Sequence, residues 1–184
     1  MSDLRQLAEC LRRVTAEVAD PGVSLGSGVL WPPGHVVTNA HVVRGSHAGV
    51  RLVDGRRLEG RVIARDVATD LALLRVSGSG IPAATIAGPG TVHVGALVVA
   101  VGHPLGVRGA LTVGIIHAIG PQQIGGRSWI QADVSLARGN SGGPLADASG
   151  HVVGLNTMVA GTLALAIPMS DVAQFVRAAG VGLP

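Results

Sequence analysis

The spacing of apolar residues divides the chain into a helix, two series of strands and a second helix. Near the start, apolar residues recur at three- and four-residue intervals from Leu4 to Val18, which predicts an amphipathic helix ending before Pro21. Short β-rich runs separated by turns follow, and Asp54-Gly55 between two of them is typical of a hairpin turn. The first series comprises residues 28–31, 35–38, 48–53, 57–64 and 71–76, and the second comprises 96–101, 110–119, 128–132, 151–156 and 162–167.

The segments between and after these runs set the expected domain organisation. Residues 81–90, rich in proline and glycine, predict a connector between the two series. Ser170 as N-cap and Gly180 as terminator predict a closing helix over residues 171–179. Two batches of strands with a helix at each end favour an all-β fold of two packed antiparallel barrels. We expect one domain over 1–184, with the helix in 1–21, the barrels in 22–87 and 88–169, and the closing helix and tail in 170–184.

Composition narrows the class of protein. Of 184 residues, 47% are hydrophobic and 14% are charged, which is typical of a globular chain. All 14 basic residues are arginines, the net charge is only +3, and the arginines stand singly or in pairs among acidic residues, so we expect no nucleic-acid partner. Cys10 is the single cysteine, which excludes an intrachain disulfide; its place on the predicted helix suggests a buried, inert thiol.

The sequence leaves the cellular compartment open. No apolar run approaches the roughly 20 residues that cross a bilayer. Residues 1–13 carry five charged side chains without an uninterrupted apolar centre, which is not the pattern of a secretory signal. The expected compartment is cytoplasmic if Met1 is the native start and extracytoplasmic if a leader has been removed.

The strongest chemical signal is the run Gly-Asn-Ser-Gly-Gly-Pro at 139–144. A tight turn here exposes the Ser141 hydroxyl and aims backbone N–H groups at one point, as acyl transfer requires. A serine hydroxyl needs an imidazole to accept its proton, and that imidazole needs a carboxylate to orient it. His41 and Asp70 precede Ser141 in one of the chain orders known for such triads. They fall in the first predicted barrel and Ser141 in the second, so we expect a cleft between the barrels.

Each of these residues alone has a structural explanation, as a packed histidine, a turn aspartate or a turn serine. Their combination predicts a triad, with Asp66 and Asp133 as rival carboxylates. The remaining histidines lack a comparable context and are expected to be surface or structural residues; they are His35, His47, His93, His103, His117 and His151. No close set of His, Cys and Asp has metal-ligand spacing, so we expect no metal.

The chain resembles the HtrA/Deg family of chymotrypsin-like serine proteases over about residues 26–176. The resemblance rests on matches at 26–29, 38–43, 66, 69–72, 102–106, 112–115, 131–133, 139–145 and 166–168. It implies two six-stranded antiparallel barrels of the chymotrypsin-like type, endopeptidase activity on unfolded or flexible protein, a role in protein quality control and no cofactor. It assigns the base to His41, its orienting carboxylate to Asp70 and the nucleophile to Ser141, with the N–H groups of Gly139 and Ser141 as the oxyanion hole. Asp66 and Asp133 match family positions outside the triad.

Specificity is predicted from the residues expected around Ser141. The candidate substrate pocket consists of Leu136, Asn156, Met158 and Leu165. None of these is an acid that could bind an Arg or Lys side chain. We therefore expect cleavage after small or medium aliphatic residues.

Three features depart from the family pattern. The sequence contains no peptide-binding PDZ domain. Many family members trimerise through aromatic residues near the N-terminus, whereas no Phe, Tyr or Trp precedes Trp31 here, so we expect either a monomer or a trimer. Arg138 stands where the family commonly has proline, which would restrict the backbone beside the oxyanion hole. We therefore hypothesise a resting enzyme of low activity until substrate or a partner orders this loop.

Two other functions use the same residues. One is a non-catalytic peptide-binding module that retains the triad. The other is an esterase-like hydrolase, although the strand–turn–helix elbow Gly-x-Ser-x-Gly is absent.

Overall fold

Each half of the chain closes into a six-stranded antiparallel barrel, which confirms the predicted fold class. The computed structural model describes residues 3–20, 24–88, 90–121 and 127–182. The first barrel consists of β1 (Thr15–Asp20), β2 (Ser24–Trp31), β3 (His35–Thr38), β4 (His47–Arg51), β5 (Arg57–Asp66) and β6 (Leu71–Val76). The second consists of β7 (Leu97–Gly102), β8 (Ala110–Pro121), β9 (Ser128–Ala132), β10 (Pro144–Asp147), β11 (Val152–Ala160) and β12 (Leu163–Pro168). The helices are α1 (Leu4–Arg13) and α2 (Met169–Ala178).

The two barrels share one strand order. The first runs β1-β2-β3-β6-β5-β4, and the second runs β7-β8-β9-β12-β11-β10. The predicted hairpin at Asp54-Gly55 is confirmed, because Arg51 pairs with Arg57 and Gly55 adopts φ +92°. Alternating apolar residues of each barrel fill its interior, as the pattern predicted.

Both terminal elements differ in part from the predicted boundaries. Helix α1 ends at Arg13, and residues 15–20 form strand β1 instead of more helix. Val14 and Val18 are four residues apart, which suits a helix face but equally suits one face of a strand with period two, and Ala16 and Val18 are both fully buried. Ser170 lies inside α2 instead of capping it, because the helix already begins after Pro168. Gly180 does end the helix, with φ +79° and its N–H bonded to the Arg177 carbonyl.

A third apolar core lies between the barrels. It joins side chains of the first barrel, such as Val29 and Leu73, to those of the second, such as Leu155 and Ile167, and Val172 of α2 packs against it. Helix α1 packs on the second barrel although it precedes the first in sequence; Leu7 and Leu11 contact Val99, Val101 and Ala146. The barrels are therefore fixed against each other by buried apolar surface, which positions a site between them.

The predicted connector contacts both barrels. In residues 81–88, the Ala84 N–H bonds the Leu30 carbonyl and the Ala87 N–H bonds the Val152 carbonyl.

Cys10 is exposed on α1, so the expectation of a buried thiol is wrong. Leu7 and Leu11 form the buried face of that helix. In the described part of the chain, no helix has the length and apolar character that a membrane crossing requires.

Candidate active site

His41 and Asp70 meet at one edge of the first barrel. Strands β3 and β6 are paired, with Thr38 opposite Ala72, so the residue three places after β3 lies beside the residue just before β6. His41 Nδ1 lies 2.8 Å from Asp70 Oδ2, and the His41 backbone N–H donates to Asp70 Oδ1 at 3.0 Å. An Nδ1–H that donates to this carboxylate leaves Nε2 as the proton acceptor.

The backbone of Asp70 is held in a conformation that few residues adopt. Its φ is +55°, in the left-handed region. Its carbonyl accepts the Ala40 N–H at 3.1 Å and Asn39 Nδ2 at 3.0 Å. These bonds fix the carboxylate towards His41, and such strained residues cluster at functional sites.

Thr157 of β11 connects the two barrels at the site. Pairing of β11 with β12 shifts between Asn156 and Met158, and this irregularity lets Thr157 Oγ1 donate to Asp70 Oδ2 at 2.7 Å. The carbonyl of Thr157 accepts the Ser141 hydroxyl at 2.9 Å. One residue of the second barrel therefore bonds both Asp70 and Ser141. The sequence prediction missed Thr157, because nothing in residues 152–160 marks a bulge.

The environment of the Asp70 carboxyl favours its ionised form. Burial is the largest single influence and would raise its pKa, but the hydrogen bonds from His41 and Thr157, together with the charge of His41, outweigh burial. The pKa of Asp70 is therefore below its ordinary value. Asp70 is therefore charged at neutral pH and can orient the His41 imidazole.

The loop around Ser141 is shaped by contacts with the first barrel and with β11 of the second. Ser27 N–H donates to the Ser141 carbonyl at 2.8 Å, and Gly142 N–H donates to the Asn156 carbonyl at 2.8 Å. Gly142 has φ +85°, and a Cβ there would overlap the Ser27 carbonyl and Thr38 Oγ1. Only glycine fits at this position.

The peptide between Arg138 and Gly139 has one defined orientation. The Arg138 carbonyl accepts the Leu105 N–H at 2.9 Å. The C=O and N–H of a trans peptide point in opposite directions, so the Gly139 N–H points away from Leu105. Within the described residues, the N–H groups of Gly139 and Ser141 have no backbone acceptor.

Ser27 and His103 form a buried pair behind this peptide. Ser27 Oγ donates to the Gly139 carbonyl at 2.7 Å and accepts the His103 backbone N–H at 3.0 Å. His103 Nδ1 lies 3.0 Å from the same oxygen, and since the only hydroxyl hydrogen serves Gly139, Nδ1 must be the protonated nitrogen. Burial is the main cause of a lowered His103 pKa. His103 is thus a structural residue of the candidate site, neutral at pH 7.

Two cavities flank these residues. One, of about 600 Å³, is lined by His41, Asp70 and Met158 among others. The other, of about 210 Å³, is lined by Leu136, Ser141 and Met158 among others. Of the four predicted pocket residues, Leu136 and Met158 lie at the Ser141 cavity.

Asn156 and Leu165 do not line either cavity. Both are fully buried: Asn156 Nδ2 donates to the Pro144 carbonyl, and Leu165 belongs to the core between the barrels. The reason is the direction of their side chains, which in β11 and β12 point into the protein instead of towards Ser141.

The rival carboxylates are engaged elsewhere. Asp66 Oδ1 accepts the N–H groups of Ala68 and Thr69, and the Thr69 side chain is the main cause of its lowered pKa, with these backbone bonds acting in the same direction. Asp133 is exposed in the segment after β9. The described residues contain no group of His, Cys, Asp and Glu that could hold a metal ion.

Comparison with known proteins finds peptidases among the proteins that this chain resembles in sequence. The family model described as trypsin-like peptidase domain matches residues 26–155. The chain is 41% identical over 155 residues to a putative serine protease, HhoB, of Synechocystis sp., covering 78% of this chain and 37% of that one. It is 38% identical over 170 residues to a probable periplasmic serine endoprotease, DegP-like, of Pseudomonas savastanoi, covering 85% of this chain and 36% of that one. The chain therefore spans little more than a third of these curated relatives.

Solved structures give the same result for the fold. An HtrA-type protease, AlgW, solved with a decapeptide, matches with a TM-score of 0.88 and 26% identity, over 96% of this chain and 67% of that one. The serine endoprotease from Yersinia pestis matches with a TM-score of 0.88 and 29% identity, over 97% of this chain and 67% of that one.

Proposed function

The chain belongs to the trypsin-like peptidase family, and on that premise we propose that it is a serine endopeptidase of the HtrA/Deg type acting on unfolded or flexible protein. The observation that carries the proposal is the continuous set of hydrogen bonds from His41 through Asp70 and Thr157 to Ser141. It joins a nucleophile on one barrel to a base on the other.

The proposed reaction has two stages. Ser141 Oγ attacks the carbonyl carbon of the scissile peptide while His41 Nε2 accepts its proton, and the N–H groups of Gly139 and Ser141 stabilise the oxyanion. His41 then gives the proton to the leaving amine, which leaves an acyl-enzyme at Ser141. Water, deprotonated by His41, attacks this ester, and His41 returns the proton to Ser141 Oγ as the acid product leaves. Asp70 stays ionised throughout and stabilises the imidazolium.

For the residue before the scissile bond we propose a small or medium aliphatic side chain. The Ser141 cavity is small and lined by Leu136, Met158 and Val159. Arg138 also lines it and disfavours an Arg or Lys side chain by charge repulsion. Cleavage after Arg as fast as after Val in a peptide library would contradict this preference.

We further propose that the oxyanion hole is ready in the resting protein, contrary to the expectation drawn from Arg138. The bond from Leu105 N–H to the Arg138 carbonyl supports this, because it opposes the flip that would turn that carbonyl into the hole. Cleavage of a short peptide should start without a lag. A lag that a peptide activator removes would restore the earlier expectation.

A second function, a peptide-binding module without catalysis, is favoured by one contact. The Ser141 hydroxyl donates to the Thr157 carbonyl and must rotate to reach His41. Incubation of unfolded casein with the wild type and with Ser141→Ala, followed by mass spectrometry of the fragments, separates the two functions. The endopeptidase proposal predicts fragments from the wild type alone; intact casein with both proteins would support the binding module.

A further inference from the structure

Three arginines surround the larger cavity beside His41, and we call this region the arginine cleft: Arg44, Arg65 and Arg127. The cavity has a volume of about 600 Å³. It shares Met158 with the Ser141 cavity, so an extended peptide bound at Ser141 can place a neighbouring side chain in it.

Nearby contacts fix the Arg44 backbone and the side chains of Arg65 and Arg127. The Arg44 N–H donates to Asp20 Oδ2 at 2.7 Å, and its carbonyl accepts Arg65 Nη1 at 2.6 Å. The guanidinium of Arg127 lies over the Trp129 ring, 4.9 Å from its centroid. Because Trp129 is almost fully buried, this stacking fixes Arg127 at the wall of the cleft.

The carboxylates nearest the cleft, Asp70 in its lining and Asp66 near Arg127, form no ion pair with its arginines. In the described part of the chain, none of the three arginines forms an ion pair. Among the described residues, Arg127 Nη2 is buried without a hydrogen-bond acceptor. Asp70 already accepts bonds from His41 and Thr157, and Asp66 accepts bonds from the Ala68 and Thr69 N–H groups.

Apart from His41 and Asp70, the remaining lining is apolar. Val67 and Ala68 lie beside the arginines, with Trp129 on the same wall. An acidic side chain with a methylene stem fits this mixture, because the stem packs on apolar surface while the carboxylate meets the guanidinium groups. Lysine and arginine side chains are excluded by like charge.

We propose that the arginine cleft is a substrate subsite that selects a glutamate or aspartate next to the scissile bond. The inference rests on the proposed function, since the occupant is a substrate peptide. It adds a second selection to the aliphatic residue expected at the Ser141 cavity: the preferred segment combines an aliphatic residue with a neighbouring acid.

Binding to Ser141→Ala tests the subsite separately from catalysis. Fluorescent peptides would carry valine at the cleaved position, with glutamate or glutamine at each neighbouring position in turn. We expect about tenfold tighter binding with glutamate at the position that enters the cleft, in low salt. The preference should largely vanish at about 1 M salt, where the Debye length is near 3 Å.

Substitutions of the three arginines test whether the preference for glutamate arises in the arginine cleft. Added to Ser141→Ala, Arg44→Gln should remove part of the preference, and the combination with Arg65→Gln and Arg127→Gln all of it. Arg57→Gln, an exposed arginine outside the cleft, is the matched control and should change nothing. Arg44→Glu combined with Arg65→Gln and Arg127→Gln should reverse the preference towards a lysine peptide, which a merely unfolded variant cannot do.

The outcomes are distinct. Equal binding of glutamate and glutamine peptides at every position would overturn the subsite, as would a preference that survives the triple substitution. Failure of the wild type to cleave any of these peptides would instead overturn the proposed function, whatever their order of affinity.

Discussion

The two halves of the candidate site are held by different kinds of contact. His41 and Asp70 sit at the ends of paired strands in one barrel, so strand register brings them together. Ser141 sits in a loop whose shape depends on Ser27, Thr157 and His103, which lie far away in sequence; Ser27 and Gly139 are 112 residues apart. The first barrel therefore brings the base and its carboxylate together, with Thr157 of the second barrel as a further donor to Asp70, whereas the nucleophile loop needs both barrels to dock.

Substitutions in the first half should have the largest effect on catalysis. Asp70→Asn leaves the strand pairing intact but removes the charge that orients His41, so we expect kcat to fall about 10⁴-fold with little change in Tm. Peptide hydrolysis and thermal unfolding measure the two quantities. A fall of less than tenfold would show that another carboxylate orients His41, and Asp66→Asn is the control that should leave kcat unchanged.

Substitution of Gly142 should lower the free energy of unfolding, because it distorts the loop that carries Ser141. Alanine there combines a left-handed backbone with overlap of the Ser27 carbonyl, at a cost of about 3 kcal/mol or more. Gly161 also has a positive φ, of +64°, but open space around it, so Gly161→Ala should cost only about 1 kcal/mol. Denaturant unfolding compares them; equal losses would refute the role of the Ser27 contact.

Ser27→Ala should loosen the loop that carries Ser141 without unfolding the protein. The Gly139 carbonyl loses its shortest hydrogen bond, and we expect kcat to fall roughly tenfold to a hundredfold while KM changes little. The matched control is Ser46→Ala, because Ser46 and His47 form a similar but exposed pair at 3.0 Å. Unchanged kcat in Ser27→Ala would mean that the loop is held without this hydroxyl.

The smallest effect concerns pH. Burial lowers the pKa of His103 below its ordinary value of 6.5; Arg108 and Arg51 act in the same direction, and Glu17 opposes them. The unfolded chain therefore binds a proton more readily than the folded one, so this stability is present above pH 6.5 and lost as the pH falls towards the folded pKa. Between pH 8 and about 5, Tm of the wild type should fall more than Tm of His103→Asn. Parallel curves would contradict a buried neutral imidazole.

Local patterns in the sequence were enough to predict the fold class and the residues of the proposed triad. Alternating apolar runs predicted ten of the strands to within a few residues, because each run has one buried face. Strand β1 was misread, since Val14 and Val18 suit both periods. Strand β10 was missed, because Pro144–Asp147 is too short to show a period.

The supporting contacts could not be predicted in the same way. Thr157 reaches Asp70 only because of a bulge, and Ser27 reaches Gly139 only because the barrels dock. Asn156 and Leu165 were expected at the pocket, but the side to which each points is set by strand register. Such features depend on tertiary packing and leave no periodic signal in the chain.

Reaction with a fluorophosphonate probe tests most directly the claim that the two barrels together activate Ser141. The probe forms a covalent bond only with an activated serine hydroxyl, and peptide mapping identifies the residue that carries it. We predict one label per molecule at Ser141, none in Ser141→Ala, and labelling at least a hundredfold slower in both His41→Ala and Gly142→Ala. Labelling that persists in Ser141→Ala, or that proceeds at the wild-type rate without His41, would contradict this account.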